Sequence, residues 1–296
     1  MDIKGNKFLV IGGAGFIGSH VVDQLLEQGA QVTIYDNFCR GKYLPDAALD
    51  WGLVRDDILH QDVLEDAMDG MHGVFHLAAL WLLHCERYRQ AAFDVNVRGT
   101  FNVIEACRKL NIKRLVFSSS ASVYGNAVEE PMSENHPYNN QTFYGATKIA
   151  GEHMFKSSGV PGVCLRYMNV YGPRQDTQGA YVAVIPKMLS GETFTVTGDG
   201  EQAYDFVYVE DVAKANILAM QSSTQGFYNV GTGIKTSINR LISMIGNKTV
   251  SYEGKTQFVT SRVGGTTKAE KELGFKAETS LEEGLRRMID EPAKAL

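Results

Sequence analysis

A strand-length apolar run that breaks on regularly spaced glycines constrains this chain more than any other feature. Residues 7–18 read Lys-Phe-Leu-Val-Ile-Gly-Gly-Ala-Gly-Phe-Ile-Gly, with Gly12, Gly15 and Gly18 spaced three apart. An amphipathic helical pattern follows (Val21, Val22, Leu25, Leu26) and stops at Gly29. A strand, a tight turn and a helix in that order aim the first amides of the helix at a phosphate, and glycines let the backbone approach closely. Glycines also serve many ordinary turns with positive φ. Here a second apolar strand, Gln31 to Tyr35, ends on Asp36, where an acidic residue can bond a ribose 2′-hydroxyl. The pattern predicts dinucleotide binding.

The rest of the chain supplies the sheet that such a turn requires. Asp57 and Ile58 end a third short apolar run, Val74 to Ala79 reads as a fourth strand and Arg114 to Ser118 as a fifth. Residues Ala91 to Leu110 have helical spacing, Tyr144 to Phe155 reads as helix, and Val163 to Val170 as a further strand. This alternation predicts an α/β fold: a Rossmann-type, doubly wound parallel sheet whose functional loops lie at the carboxyl ends of the strands. Beyond Tyr171-Gly172-Pro173 the pattern loosens. Short helices (Val182 to Ser190, Val209 to Gln221, Ile238 to Ile245, Leu281 to Ile289) mix with strands at Phe194 to Thr197 and Phe227 to Val230. The expected organisation is a nucleotide-binding unit over 1–172, rejoined by about 206–232, with 173–296 mainly a smaller substrate-binding lobe.

Composition narrows the function classes. A chain of 296 residues needs no disulfide staples. The net charge of −5 argues against a nucleic-acid partner, and the apolar runs are too short to span a membrane. No secretory leader is evident, since the first apolar run breaks at Gly12. Cys39, Cys85, Cys107 and Cys164 fit neither a metal site nor a redox pair. They read as small hydrophobes of a cytoplasmic protein.

Two further stretches add chemistry. In Tyr144-Gly145-Ala146-Thr147-Lys148 the phenol and the ammonium fall four apart on one helix face. A neighbouring cation favours phenolate, so the expectation is a tyrosine with lowered pKa, suited to act as a base. The serine run Ser118-Ser119-Ser120 sits at the carboxyl end of the fifth strand, facing the ligand crevice.

With these residues in place the chain resembles the extended short-chain dehydrogenase/reductases, in particular the NAD-dependent nucleotide-sugar epimerase/dehydratase family. The resemblance runs nearly end to end. It rests on the glycine turn, Asp36-Asn37, Asp57-Ile58, His76-Leu77-Ala78-Ala79, Asn96-Val97-Arg98-Gly99-Thr100, the serine run and Tyr144 to Lys148. It continues through Asn169 to Pro173, Gly198-Asp199-Gly200, Asp205 to Val212 and Tyr228 to Gly231. It implies NAD as cofactor, held by Gly12, Gly15, Phe16, Ile17, Asp36, Asn37, Asp57, Ile58, Leu77, Ala78, Ala79, Asn96, Ser118, Tyr144 and Lys148. Ser120 and Tyr144 would address a sugar hydroxyl, with Lys148 completing the catalytic set, and Asn169 would contact the substrate near its diphosphate. No metal is implied. The long helices would form a homodimer interface.

The segment after Ser120 separates relatives. Dehydratases carry an acidic pair there, decarboxylases usually a Glu at the second position, and epimerase/reductases a cysteine. This chain has Ala121 and Ser122, as 4-epimerases have small, non-acidic residues. The implied activity is 4-epimerisation of a UDP-sugar through a transient keto intermediate. The alternatives are another sugar-nucleotide enzyme, a dehydrogenase or 2-epimerase, and a non-catalytic NAD-binding redox sensor. Two departures bear on the substrate. Tyr204 stands where many relatives place an arginine for the diphosphate, which leaves Arg262, Arg174 and Lys187 as candidates. Trp81-Leu82-Leu83-His84-Cys85 replaces a more polar stretch, with Trp81 able to pack on the sugar and His84 read as structural.

Overall fold

The computed structural model describes residues 1–45, 52–176, 184–189, 193–246, 250–254 and 261–290. Its strands are β1 (Lys7–Ile11), β2 (Gln31–Tyr35), β3 (Leu53–Val54), β4 (Gly73–His76), β5 (Arg114–Ser120), β6 (Gly162–Tyr167), β7 (Asn169–Tyr171), β8 (Phe194–Thr197), β9 (Ala203–Tyr204), β10 (Phe206–Tyr208), β11 (Gly226–Val230), β12 (Thr236–Ser237), β13 (Val250–Glu253) and β14 (Ser261–Arg262). Its helices are α1 (Phe16–Glu27), α2 (Gln61–Met68), α3 (Leu82–Arg87), α4 (Arg89–Phe93), α5 (Thr100–Lys109), α6 (Phe143–Ser158), α7 (Val184–Leu189), α8 (Val209–Gln221), α9 (Ile238–Ile245), α10 (Thr267–Leu273) and α11 (Leu281–Asp290).

The main sheet has seven strands in the order β11-β6-β5-β4-β1-β2-β3, and every pairing is parallel. The strand order reverses between β1 and β4, which puts the glycine turn at the switch point. Parallel strands are covered on both faces, which is why they read as continuous apolar runs. Alternate residues feed separate cores. Phe8, Val10, Val32, Ile34, Val116 and Leu165 pack with Val21, Val22 and Leu25 of α1 and Val212 and Ile217 of α8. Leu9, Ile11, Val74, Leu115 and Phe117 pack with Leu64 of α2, Val103 and Ile104 of α5 and Phe155 of α6. Cys164 lies in this second core, as its place in a strand predicts.

Residues 226–230 return to the edge of the main sheet against β6. The short strands β10 with β7, β12-β9-β14, and β13 with β8 build the second lobe around Tyr171, Ile185, Met188, Phe206, Ile238 and Leu285.

Several predicted elements differ in extent. The strand expected at Asp57-Ile58 stops earlier, at Val54. The strand expected to reach Ala79 ends at His76, because its ladder with β1 runs out at Ile11 where Gly12 turns away. The strand expected over 163–170 breaks at Met168, whose N–H donates to Val230 O while the following residues pair with β10. The helix expected over 91–110 is interrupted by a π-helical stretch, Asp94–Gly99. That widened turn brings Asn96 to the loop after β4, described below. Residues 182, 183 and 190 of the helix expected at 182–190 lie outside the described residues.

Two histidines are buried uncharged. His76 on β4 stacks on Phe117 at 5.5 Å, with Nε2 3.0 Å from Thr100 Oγ1 and Nδ1 buried without a partner. Burial, then the Lys148 charge, push its pKa down to about 3. Burial, then Arg174, push His20 of α1 down to about 4. Both titrate near 6.5 in the unfolded chain. Between pH 6.5 and about 4 the unfolded chain therefore binds more protons than the native one. Stability should fall with pH across that window, by up to roughly 1.4 kcal/mol per pH unit for each histidine. Thermal midpoints measured from pH 7 to 4 test this: His76→Gln should flatten the slope, and an unchanged slope would contradict a neutral His76.

Candidate active site

The groove begins at the glycine turn. Gly12 has φ +81°, and a Cβ there would lie 2.7 Å from Ala78 N. A Cβ on Gly18 would lie 2.0 Å from Gly12 O. Only glycine permits these approaches of backbone to backbone. Helix α1 starts at Phe16 after Gly15, with no side-chain cap and no acidic residue in its first turn. The positive end of the helix is thus left for an outside anion at Phe16 and Ile17. Asp36, at the end of β2, accepts from Ala14 N (3.0 Å) and Phe38 N (2.8 Å). Those bonds fix its carboxylate beside the turn, where a ribose would lie. Asn37 donates to Asp57 Oδ2 (2.7 Å), and Leu59 N to Asp57 Oδ1 (3.0 Å). The Ile58 side chain is buried in the core, in the space left by Gly99. Any contact with an adenine ring would come from its backbone.

The groups that the sequence singles out as catalytic come from β5 and α6. Thr142 caps α6, accepting from Gly145 N at 3.0 Å, so the helix begins just ahead of Tyr144. Gly145 packs against the loop after β5, where a Cβ would lie 2.5 Å from Ser122 O. Tyr144 lies beside Ser120, close enough for the serine hydroxyl to oppose the rise of its pKa. Ser120 Oγ also donates to Ser122 Oγ at 3.2 Å and accepts from Ser122 N at 3.1 Å. Lys148 Nζ donates to Ser118 O at 2.8 Å and lies 5.8 Å from the centre of the Tyr144 ring.

Electrostatics correct one expectation. Lys148 does not bring the Tyr144 phenol down. Desolvation raises it above its ordinary value, the neighbouring Cys85 adds to the rise, and the Ser120 hydroxyl opposes it. Lys148 is spent on a carbonyl, and burial lowers its own pKa to about 8. Asn96 and Ser118 are also tied into the scaffold. Asn96 accepts from Leu80 N (2.7 Å) and donates to Leu80 O (3.0 Å) and Thr147 Oγ1 (3.2 Å). Its amide pins the Leu77-Ala78-Ala79 loop to α6. The Ser118 hydroxyl pairs with Tyr167 OH at 2.8 Å, and Tyr167 donates on to Asn216 at 2.9 Å. Cys85 escaped sequence reasoning; its Sγ–H donates to Leu80 O at 3.2 Å in the same cluster.

The walls are set by tertiary contacts. Trp81 lies under the Arg40 guanidinium, 4.8 Å from its ring centre, and Arg40 also pairs with Asp176 at 3.4 Å. His84 stacks on Tyr88 at 4.7 Å. Asn169 opens β7, beside Phe206 of β10. Tyr204 and Arg262 are register partners on β9 and β14. The Arg262 Nε is buried without a hydrogen-bond partner. Burial pulls its pKa down to about 10, while Tyr204 and Tyr144 pull it back up. Arg262 thus remains a cation at neutral pH, facing the phenol of Tyr144. Arg174, by contrast, is paired with Asp23 at 2.7 Å and stacked 3.4 Å from the Tyr43 ring centre, which commits it to α1. Lys187 sits half-buried on α7.

Residues 8–231 match the model of the NAD dependent epimerase/dehydratase family. The chain belongs to that family. A putative UDP-glucose 4-epimerase of Methanocaldococcus jannaschii is 38% identical, over 95% of this chain and 97% of its own. A UDP-N-acetylglucosamine 4-epimerase from Methanobrevibacter ruminantium, in complex with UDP-N-acetylmuramic acid, superposes with a TM-score of 0.92 at 35% identity, covering 97% of this chain and 98% of that one. A UDP-glucose 4-epimerase of Thermus thermophilus, complexed with NAD, superposes with a TM-score of 0.88 at 32% identity, covering 98% and 100%. The cofactor of this epimerase/dehydratase is therefore NAD, and the bare helix end and the Asp36 carboxylate fit its pyrophosphate and ribose.

Gly12→Ala should leave the fold formed but lower NAD content at least about tenfold, since a Cβ cannot coexist with Ala78 N at 2.7 Å. Cofactor released on denaturing the purified variant, per mole of chain, checks this.

Proposed function

We propose that this protein interconverts the C4 epimers of a UDP-linked sugar. The observation that carries the reading is the Lys148–Ser118 bond, which holds α6 so that Tyr144 lies beside Ser120 at the end of β5, with the Arg262 Nε buried and without a hydrogen-bond partner among the described residues. As phenolate, Tyr144 takes the proton of the sugar 4-hydroxyl while Ser120 donates a hydrogen bond to the carbonyl oxygen that develops. NAD, held at the glycine turn and Asp36, would supply the hydride acceptor and donor for that carbon and a positive charge beside the phenol. Tyr144 gives its proton back as the hydroxyl re-forms. Once it has taken that proton Tyr144 is neutral, the form that burial favours, and so holds the proton for its return. Lys148 keeps its charge below about pH 8, and so supports a phenolate as it forms.

The segment after Ser120 supports epimerisation over elimination or decarboxylation. Ala121 is buried and Ser122 is engaged with Ser120, so no carboxylate stands where those reactions need one. Arg262 and Tyr204 are assigned to the diphosphate, Asn169 to the neighbouring part of the nucleotide, and Trp81 to the wall beside the sugar. Arg262 supplies the charge and Tyr204 a neutral donor.

The protein is assigned to the cytoplasm, and acts as a homodimer. No helix among the described residues is long and apolar enough to cross a membrane. Phe93 at the end of α4 and Phe101 at the start of α5 are 50% and 48% exposed, the aromatic surface that a partner copy would cover.

UDP-sugars incubated with the purified protein should pass from gluco to galacto form without added NAD. Stoichiometric NADH release would instead identify a dehydrogenase. Tyr144→Phe should lower kcat by about a thousandfold or more with bound NAD unchanged, in line with loss of a general acid–base. Arg262→Met should raise KM for the UDP-sugar more than it lowers kcat; an unchanged KM would remove it from the diphosphate site. Phe93→Asp/Phe101→Asp should yield monomers in sedimentation.

A further inference from the structure

The helix face that carries Tyr144 and Lys148 continues one turn on to Glu152, which is fully buried (0% exposed). Glu152 Oε1 accepts from Ser119 Oγ at 2.6 Å and from Arg166 Nε at 2.8 Å. Its Oε2 accepts from Arg166 Nη2 at 2.7 Å and from Tyr138 OH at 2.9 Å. Arg166, itself buried on β6, donates also to Tyr124 OH (2.9 Å), Glu134 O (2.9 Å) and Tyr138 OH (3.1 Å). The guanidinium donors are all used, and the carboxylate accepts from four directions.

A buried ion pair is a poor way to gain stability, because desolvation offsets much of its attraction. An apolar pair of similar volume would hold α6 on the sheet as well. It would not fix where along β5 the helix sits, since apolar contact tolerates sliding, whereas hydrogen bonds are directional and short. The strand residue tied here, Ser119, lies between Ser118, whose carbonyl receives Lys148, and Ser120, which lies beside Tyr144. Strand alternation sends the Ser119 hydroxyl to the opposite face from that of Ser118, toward α6 and Arg166.

The geometry points to Glu152, acting through Ser119 and Arg166, as a positioning residue that fixes the register of Tyr144 and Lys148 against Ser120. It touches neither substrate nor cofactor. This rests on the catalytic assignment proposed above. An error of register moves the phenol relative to the serine that must share the sugar hydroxyl with it, and leaves the glycine turn and Arg262 untouched.

The test compares Ser119→Ala, the charge-free double variant Glu152→Gln/Arg166→Met, and Tyr144→Phe as reference. Bound NAD, KM and kcat with a UDP-sugar are measured for each. Ser119→Ala and the double variant should lower kcat about ten- to hundredfold, the cost of an ångström-scale misplacement, with KM and NAD content within about twofold of the parent. If Tyr144→Phe turns over like the parent, the catalytic assignment fails and this inference with it. If Tyr144→Phe is inactive while Ser119→Ala keeps the parental kcat, the catalytic assignment stands and the positioning role is overturned. A loss of NAD or a rise in KM that matches the fall in kcat also overturns it, as general loosening. Ser119→Ala removes no charge, so it decides the matter even where the double variant does not fold.

Discussion

The backbone of Gly12 lies so close to Ala78, and that of Gly18 so close to Gly12, that no side chain fits between them. The geometry of the nucleotide-binding unit depends on this closeness. It lets α1 leave β1 steeply enough to present a bare amino-terminal turn, and it brings the loop after β4 against the turn after β1. Asn96 then grips that loop at Leu80 from a π-helical turn, and reaches Thr147 on α6. A chain of backbone and amide contacts thus links the phosphate end of the groove to the helix that carries Tyr144.

Charge in the cleft is governed by desolvation more than by pairing. Tyr144 is raised, Lys148 is lowered to about 8 and Arg262 to about 10, all with burial as the leading cause. Burial shifts each group toward its neutral form, yet at neutral pH Arg262 and Lys148 keep their charge and Tyr144 its proton. Arg262 and Lys148 lack carboxylate partners among the described residues, and the buried carboxylate of Glu152 is neutralised by Arg166 instead. On the proposed reading the site takes ligands that bring charge of their own, a diphosphate at Arg262 and an oxidised cofactor beside the phenol.

Much of this was legible in the sequence. The glycine spacing, the acidic end of β2, the Tyr144 to Lys148 spacing and the strand-end serines are local patterns, and each sits where its pattern predicts. Less legible were the residues whose roles depend on distant partners. The Asn96 amide and the Ser118 hydroxyl are tied into the scaffold, the Ile58 side chain lies in the core, and Arg174 pairs with Asp23 and stacks on Tyr43. The i,i+4 continuation from Lys148 to Glu152 was present as a signal. Without Ser119 and Arg166 beside it, Glu152 was one more surface-type residue on a helix.

By itself the sequence determined the fold class, the family and NAD, because hydrophobic period, glycine spacing and the placement of a single carboxylate are properties of short stretches of chain. The tertiary structure decided the protonation of Tyr144, the pairing of Tyr204 with Arg262, and the Glu152–Ser119–Arg166 peg. Desolvation and register are set by which strands and helices come together across the sheet, and strands as distant in the chain as β9 and β14 meet only after folding. The glycine turn marks where the cofactor lies; the packing of α6 on β5 determines what the site can do with it.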